Sequence, residues 1–173
     1  TEMATIENDI TELTQGGESL TLEFKSDLKG LPDRELVEAV VSLANTDGGE
    51  VLLGVEDDGR ITGLHTRHLT VSGIPSLVAN KTNPPIAVRV EKCEAQDKVF
   101  ARITVPKSRQ LVSTSDGTLL RRRLKLDGTP EAVPFYPHEF IQRQSSLDIT
   151  QTPYKLLRYF QEAQEQPTET ALP

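Results

Sequence analysis

The sequence predicts an α+β domain, a mixed or antiparallel sheet packed with helices, and three observations predict it. Leu20, Leu22 and Phe24 alternate with Thr21, Glu23 and Lys25, the period of two that marks a strand. Leu36, Val40 and Leu43 recur at helical spacing, with Ala39 and Ala44 beside them. Ile86, Val88 and Val90, then Val99, Ala101, Ile103 and Val105, alternate on either side of a short polar turn, the pattern of an antiparallel hairpin. The order strand, helix, strand, turn, helix and then antiparallel strands separates this class from a doubly wound sheet.

Taken along the chain, Ile6, Ile10 and Leu13 predict a short amphipathic helix over 4–14, ended by Gly16-Gly17. The strand at 20–25 follows. Pro32-Asp33 opens the next helix, since proline suits its first turn and an acid suits the positive end of its dipole. Asn45-Thr46-Asp47-Gly48-Gly49 stops it. The unbroken apolar run Val51-Leu52-Leu53-Gly54-Val55 predicts a strand covered on both faces. Asp57-Asp58-Gly59 reads as a turn, and residues 60–63 as the return strand of a small hairpin. Residues 65–80 predict a helix that breaks or restarts near Gly73-Ile74-Pro75. After the 86–105 hairpin a third strand is expected at about 118–124. Residues 127–137, with three prolines, read as loop, 137–142 as a short helix, and Tyr154, Leu157 and Phe160 as part of a terminal helix. The expected organisation is a helical arm at 1–15, a domain at 16–145, and a terminal helix with linker at 146–173. The start at Thr1 and the polar end at Pro173 lead us to expect a piece of a longer chain.

Composition narrows the function classes. The 173 residues contain one cysteine, so no internal disulfide can form, and no apolar run reaches the ~20 residues of a membrane helix. The N-terminus lacks the order of a signal peptide, which makes a cytoplasmic protein the expectation. Net charge is −7, against a broadly nucleic-acid-coated surface. The average hides an asymmetry. Residues 1–60 hold fifteen acids against four bases, whereas 100–126 hold seven bases against Asp116 alone.

Several constellations invite chemistry. The glycines of LANTDGGEVLLGVEDDGRITG lie after a helix and before a strand, the reverse of a phosphate-binding loop, and no lysine accompanies them. They read as two turns. Glu18 and Glu23 near the first strand and Asp57 or Asp58 at the end of the apolar strand would converge on a divalent metal if the strands were neighbours; solvated strand-end acids are the alternative. Arg121 and Arg123 share one strand face and Arg122 takes the other. With Arg102 and Lys125 they form a candidate phosphate-contact set, against the alternative of a solvated basic face paired with the acidic half. His65 and His68 stand three apart with no third ligand of matching kind, so ordinary helix-end histidines are the reading.

The ordered set Glu18–Lys25, Leu43–Gly49, Leu53–Gly59 and Ile61-Thr62-Gly63, then Asn83-Pro84-Pro85-Ile86 and Leu119–Arg123, resembles the Schlafen/AlbA-like family of DNA-binding domains, also labelled divergent AAA. The resemblance covers about residues 16–126. It implies an AlbA-like α+β fold and a place in bacterial transcriptional regulators, often at the N-terminus. In animal Schlafen proteins a related fold is an RNA-cleaving nuclease with a three-carboxylate metal site, and its acids fall on Glu18, Glu23 and Asp57. The leading expectation is therefore a binding module for nucleic acid, DNA ahead of RNA, with no cofactor required for binding and no membrane partner. Arg102, Arg121, Arg122, Arg123 and Lys125 would contact phosphates. The alternative is a metal-dependent ribonuclease with Mg or Mn on Glu18, Glu23 and Asp57; an ATP-binding switch ranks below it, and a homodimer is a further open possibility.

Overall fold

The computed structural model describes residues 2–136, 138, 139, 141 and 142. The chain divides into a unit over Thr1–Phe135 and a second over Tyr136–Pro173. The first is α+β, as expected. Its four-stranded sheet has the order β1-β2-β5-β4 and two small two-stranded ribbons accompany it. Here β1 is Leu22–Lys25, β2 Gly49–Leu53, β4 Arg89–Ala95 and β5 Lys98–Val105; the ribbons are β3 (Thr82–Asn83) with β6 (Ser113–Thr114), and β7 (Leu120–Leu124) with β8 (Pro130–Pro134). β1 runs parallel to β2, and the other pairings are antiparallel. The helices are α1 (Glu2–Gln15), α2 (Asp33–Ala44) and α3 (Ile74–Asn80).

The apolar run at 51–55 explains the layering. In a strand, successive side chains point to opposite faces, so a run with no polar residue must be covered twice. Val51 and Leu53 pack with Leu36, Val37, Val40 and Leu43 of α2 and with Ala101 and Ile103 of β5. Leu52 points the other way and packs with Ile10 of α1, Leu22, Phe24 and Phe100. Each fully buried side chain of this kind contributes roughly 1.5–3 kcal/mol. α1 thus forms part of the core. No helix among the described residues is long and apolar enough to cross a membrane.

α2 starts after Pro32, with Asp33 and Glu35 in its first turn, and closes with the Gly48 N–H donating to Leu43 O at 2.8 Å. β2 begins at once. A Cβ on Gly49 would lie 2.0 Å from Thr21 O, so only glycine lets β1 and β2 approach here. Gln96 and Asp97, at φ 54° and 58°, make the two-residue turn between β4 and β5.

Three expectations are corrected. Residues 60–63 form no return strand: Val55 and Ile61 make one isolated bridge, and Thr62 and Gly63 both donate to Gly54 O, which spends one carbonyl twice and leaves no ladder. The strand expected from Ile86 begins at Arg89; Ile86 and Val88 are buried in irregular chain after Pro84-Pro85, whose nitrogens cannot donate to a ladder. Residues 130–134 form β8 rather than loop, because prolines at the two ends of a ribbon strand leave its interior free to pair. The 65–80 segment restarts as expected, with two 3₁₀ turns before α3. In the second unit, residues 138, 139, 141 and 142 are helical, and the terminal helix expected around 154–160 lies outside the described residues.

Candidate functional site

The site is built where β7 comes back against β1, about 100 residues away in sequence. The backbone N–H of Arg122 donates to Thr46 Oγ1 at 2.8 Å, and Asn45 Nδ2 donates to Leu120 O at 2.9 Å, so the end of α2 fixes the base of the β7–β8 ribbon. Alternation then turns Arg122 inward, where it is 3% exposed. Its Nη1 meets the Glu23 carboxylate, its Nε donates to Leu20 O at 3.1 Å, and its Nη2 donates to Ser19 O and Leu22 O. A buried guanidinium needs this many acceptors, since an unpartnered charge inside a protein costs several kcal/mol.

Glu18 stands on the same strand edge. Its Oε1 accepts the Phe24 N–H at 2.8 Å. Leu22 N–H and C=O are engaged by Ser19 through an isolated bridge. The outer edge of β1 is thus closed by Glu18, Arg122 and Ser19 instead of by another strand. Burial holds the Glu18 carboxyl above its ordinary range; the Phe24 N–H opposes this, the charges of Glu23 and Asp57 push further up, and Arg122 pulls down. Glu18 therefore feels the charges of the other two acids named by the resemblance.

Two of the three already hold partners within the chain. Glu23 is committed to Arg122 and, at 3.3 Å, to Lys25 Nζ, and one Glu18 oxygen is spent on a backbone N–H. Among the described residues no group of three or more His, Cys, Asp or Glu side chains is placed to hold an ion. Beside Glu23 lies a cleft of about 360 Å³, lined also by Lys25, Glu35, Glu38, Ser42 and Arg122.

The basic strip divides. Arg121, Arg123 and Lys125 occupy one face of β7 and its extension, opposite to Arg122. Arg123 Nε reaches Glu131 Oε1 across the ribbon at 2.7 Å. Arg102 belongs elsewhere. It lies on β5, where its fork grips the Glu50 carboxylate at 2.8 and 2.7 Å, with Asp9 3.7 Å away. That grip raises its guanidinium pKa further. Three of the five candidate phosphate contacts, Arg102, Arg122 and Arg123, are therefore paired with acids of this chain, and Arg121, Arg123 and Lys125 lie together on the ribbon.

Sequence reasoning missed two polar hubs. Asp27 is fully buried; it accepts from Leu31 N–H at 2.7 Å and His65 N–H at 2.8 Å, and it holds His68 Nδ1 at 2.9 Å. His65 Nδ1 accepts the Arg67 N–H, so both histidines serve loop geometry. Asn45, read only as part of a helix stop, also exchanges hydrogen bonds with Val112 N–H and C=O. A lone Asp or Asn carries no pattern that announces this.

No curated protein shows a significant match to the chain. Among solved structures, the DIP2311 protein of Corynebacterium diphtheriae is similar in fold, with a TM-score of 0.62 at 16% identity over 85% of this chain and 34% of its own. The chain thus spans about a third of that protein. The N-terminal domain of a RecG-related protein from Nitrosomonas europaea is similar at 24% identity and a TM-score of 0.48, over 60% of this chain and 73% of its own. The profile of the family described as Schlafen, AlbA_2 matches residues 18–127, from the first edge acid to the end of the basic strip. This chain belongs to the Schlafen, AlbA_2 family, a nucleic-acid-related domain.

Proposed function

We propose that the chain is a DNA-binding domain of a cytoplasmic transcriptional regulator, and that the β7–β8 ribbon is its contact element. The observation that carries this reading is the placement of Arg121, Arg123 and Lys125 on one ribbon face while Arg122 anchors the ribbon to the body. Three cations in line suit the repeat of charge along a phosphate backbone, and phosphate contacts are the dominant source of affinity in such complexes. Titrating a labelled duplex at increasing salt tests it. Affinity should fall with salt and flatten when Arg121, Arg123 and Lys125 are changed to alanine. No binding at low salt, or binding indifferent to salt, overturns the proposal. An RNA hairpin in a parallel titration ranks the two nucleic acids.

A metal-dependent ribonuclease is the second reading, favoured by the proximity of Glu18, Glu23 and Asp57 and opposed by the ion pairs of Glu23. Incubation of structured RNA with manganese decides it. Cleavage abolished by Glu23→Gln in a variant that stays folded supports this reading, and cleavage that survives places the activity elsewhere.

A further inference from the structure

The ribbon carries a second property that phosphate contact does not use. Leu124 is 51% exposed and Leu126 is at the limit of full exposure, at 110%. Leu124 shares the face of Arg122, one repeat beyond the point where the body ends, and Pro130 lies directly opposite it on β8. The ribbon therefore presents Leu124 and Pro130 on the face opposite Arg123, and Leu126 stands fully exposed in the turn at its tip.

The tip is also preformed. Lys125 N–H donates to Thr129 O at 2.8 Å, and Gly128 N–H to Lys125 O at 3.0 Å. Asp127, the one acid of the turn, is held on Thr129 N–H and Oγ1 at 2.9 and 2.6 Å, and those hydrogen bonds lower its pKa. Two leucines on a fixed basic ribbon, unlike two on a slack loop, keep their direction when they meet a partner.

The charge of the chain says which partner. With a net charge of −7 the chain as a whole repels a polyanion, so a broad face laid along a duplex is disfavoured. A narrow arm that enters a groove escapes that repulsion, because its contacts lie beyond the acidic body. Proteins that enter the minor groove commonly push an apolar side chain between base steps and kink the duplex.

We propose that Leu124 and Leu126 form such a wedge, entering the minor groove of duplex DNA and unstacking a base step while Arg121, Arg123 and Lys125 hold the flanking phosphates. This rests on the DNA-binding reading above and adds deformation of the duplex to it. The test uses duplexes with an unstacking-sensitive fluorescent adenine analogue at each TA step and a dye at each end, with binding followed separately by anisotropy at low salt. The chain should raise the analogue's emission and shorten the end-to-end distance. Leu124→Ala/Leu126→Ala should bind roughly tenfold more weakly and do neither. Leu126→Ser alone, at a fully exposed position, reports the same loss if the double variant unfolds.

Binding by the wild type with no change in emission or length overturns the wedge and leaves DNA binding standing. A leucine variant that bends DNA as well as the wild type also overturns it. A fall in sedimenting mass of the DNA-free chain on Leu126→Ser would reassign the leucines to a second copy. No duplex binding at low salt would remove both readings together.

Discussion

At the scale of single residues, three adjacent arginines have unlike roles. Arg122 satisfies Glu23 and three carbonyls from inside, whereas Arg121 and Arg123 lie on the outer face. Arg122→Ala should destabilise the domain by about 3–5 kcal/mol in urea unfolding, because it strands Glu23 and the carbonyls it served. Arg121→Ala should destabilise the domain less than Arg122→Ala does and lose DNA affinity. Glu18 gives a pH prediction whose sign follows from its raised pKa. The folded chain holds the Glu18 proton more tightly than the unfolded chain, so this residue's contribution is complete below its ordinary value of 4.5 and is lost as pH rises through the higher folded value. Glu18→Gln keeps an oxygen for the Phe24 N–H and removes the charge. Its stability relative to wild type should therefore improve as pH climbs from 4.5 toward neutrality, as followed by thermal melts across that range.

At the scale of elements, the β1–β2 pair depends on one missing side chain. Gly49→Ala would set a Cβ against Thr21 O and should cost more than about 4 kcal/mol, seen as loss of folded, soluble chain. In the ribbon, Glu131→Gln releases Arg123 from its cross-strand partner and removes a charge that repels phosphate. Duplex affinity should rise, and the slope of log affinity against log salt should steepen by up to about one. Strong periodicity made β1, α2 and the β4–β5 hairpin legible, and an unbroken apolar run did the same for β2. β8 was hidden because prolines count against a strand unless a neighbour's register is known. The candidate site was half legible. Alternation separated Arg122 from Arg121 and Arg123, but which face points inward is decided by α2 and β1, elements distant in sequence. The ion pair of Arg102 with Glu50 depends likewise on the pairing of β2 with β5.

At the scale of the whole molecule, the chain is acidic, with pI near 5.0, and the ribbon is the basic element proposed above to meet DNA. Three phosphate contacts give a slope of about −2.7, so affinity should fall roughly fortyfold between 50 and 200 mM salt, measurable by anisotropy. A steeper loss would mean that more of the surface takes part. The sealed edge of β1 bears on how any such variant is read. Glu18 and Arg122 occupy backbone positions that a neighbouring strand would otherwise take. Truncating either leaves unpaired N–H and C=O groups in a row, a template on which another chain can add its own strand. An alanine at Glu18 or Arg122 that abolishes a signal would then report self-association of the variant, visible as turbidity or a high-mass species, before it reports anything about chemistry. Glu18→Gln, which keeps an acceptor for the Phe24 N–H, is the substitution that leaves the seam shut.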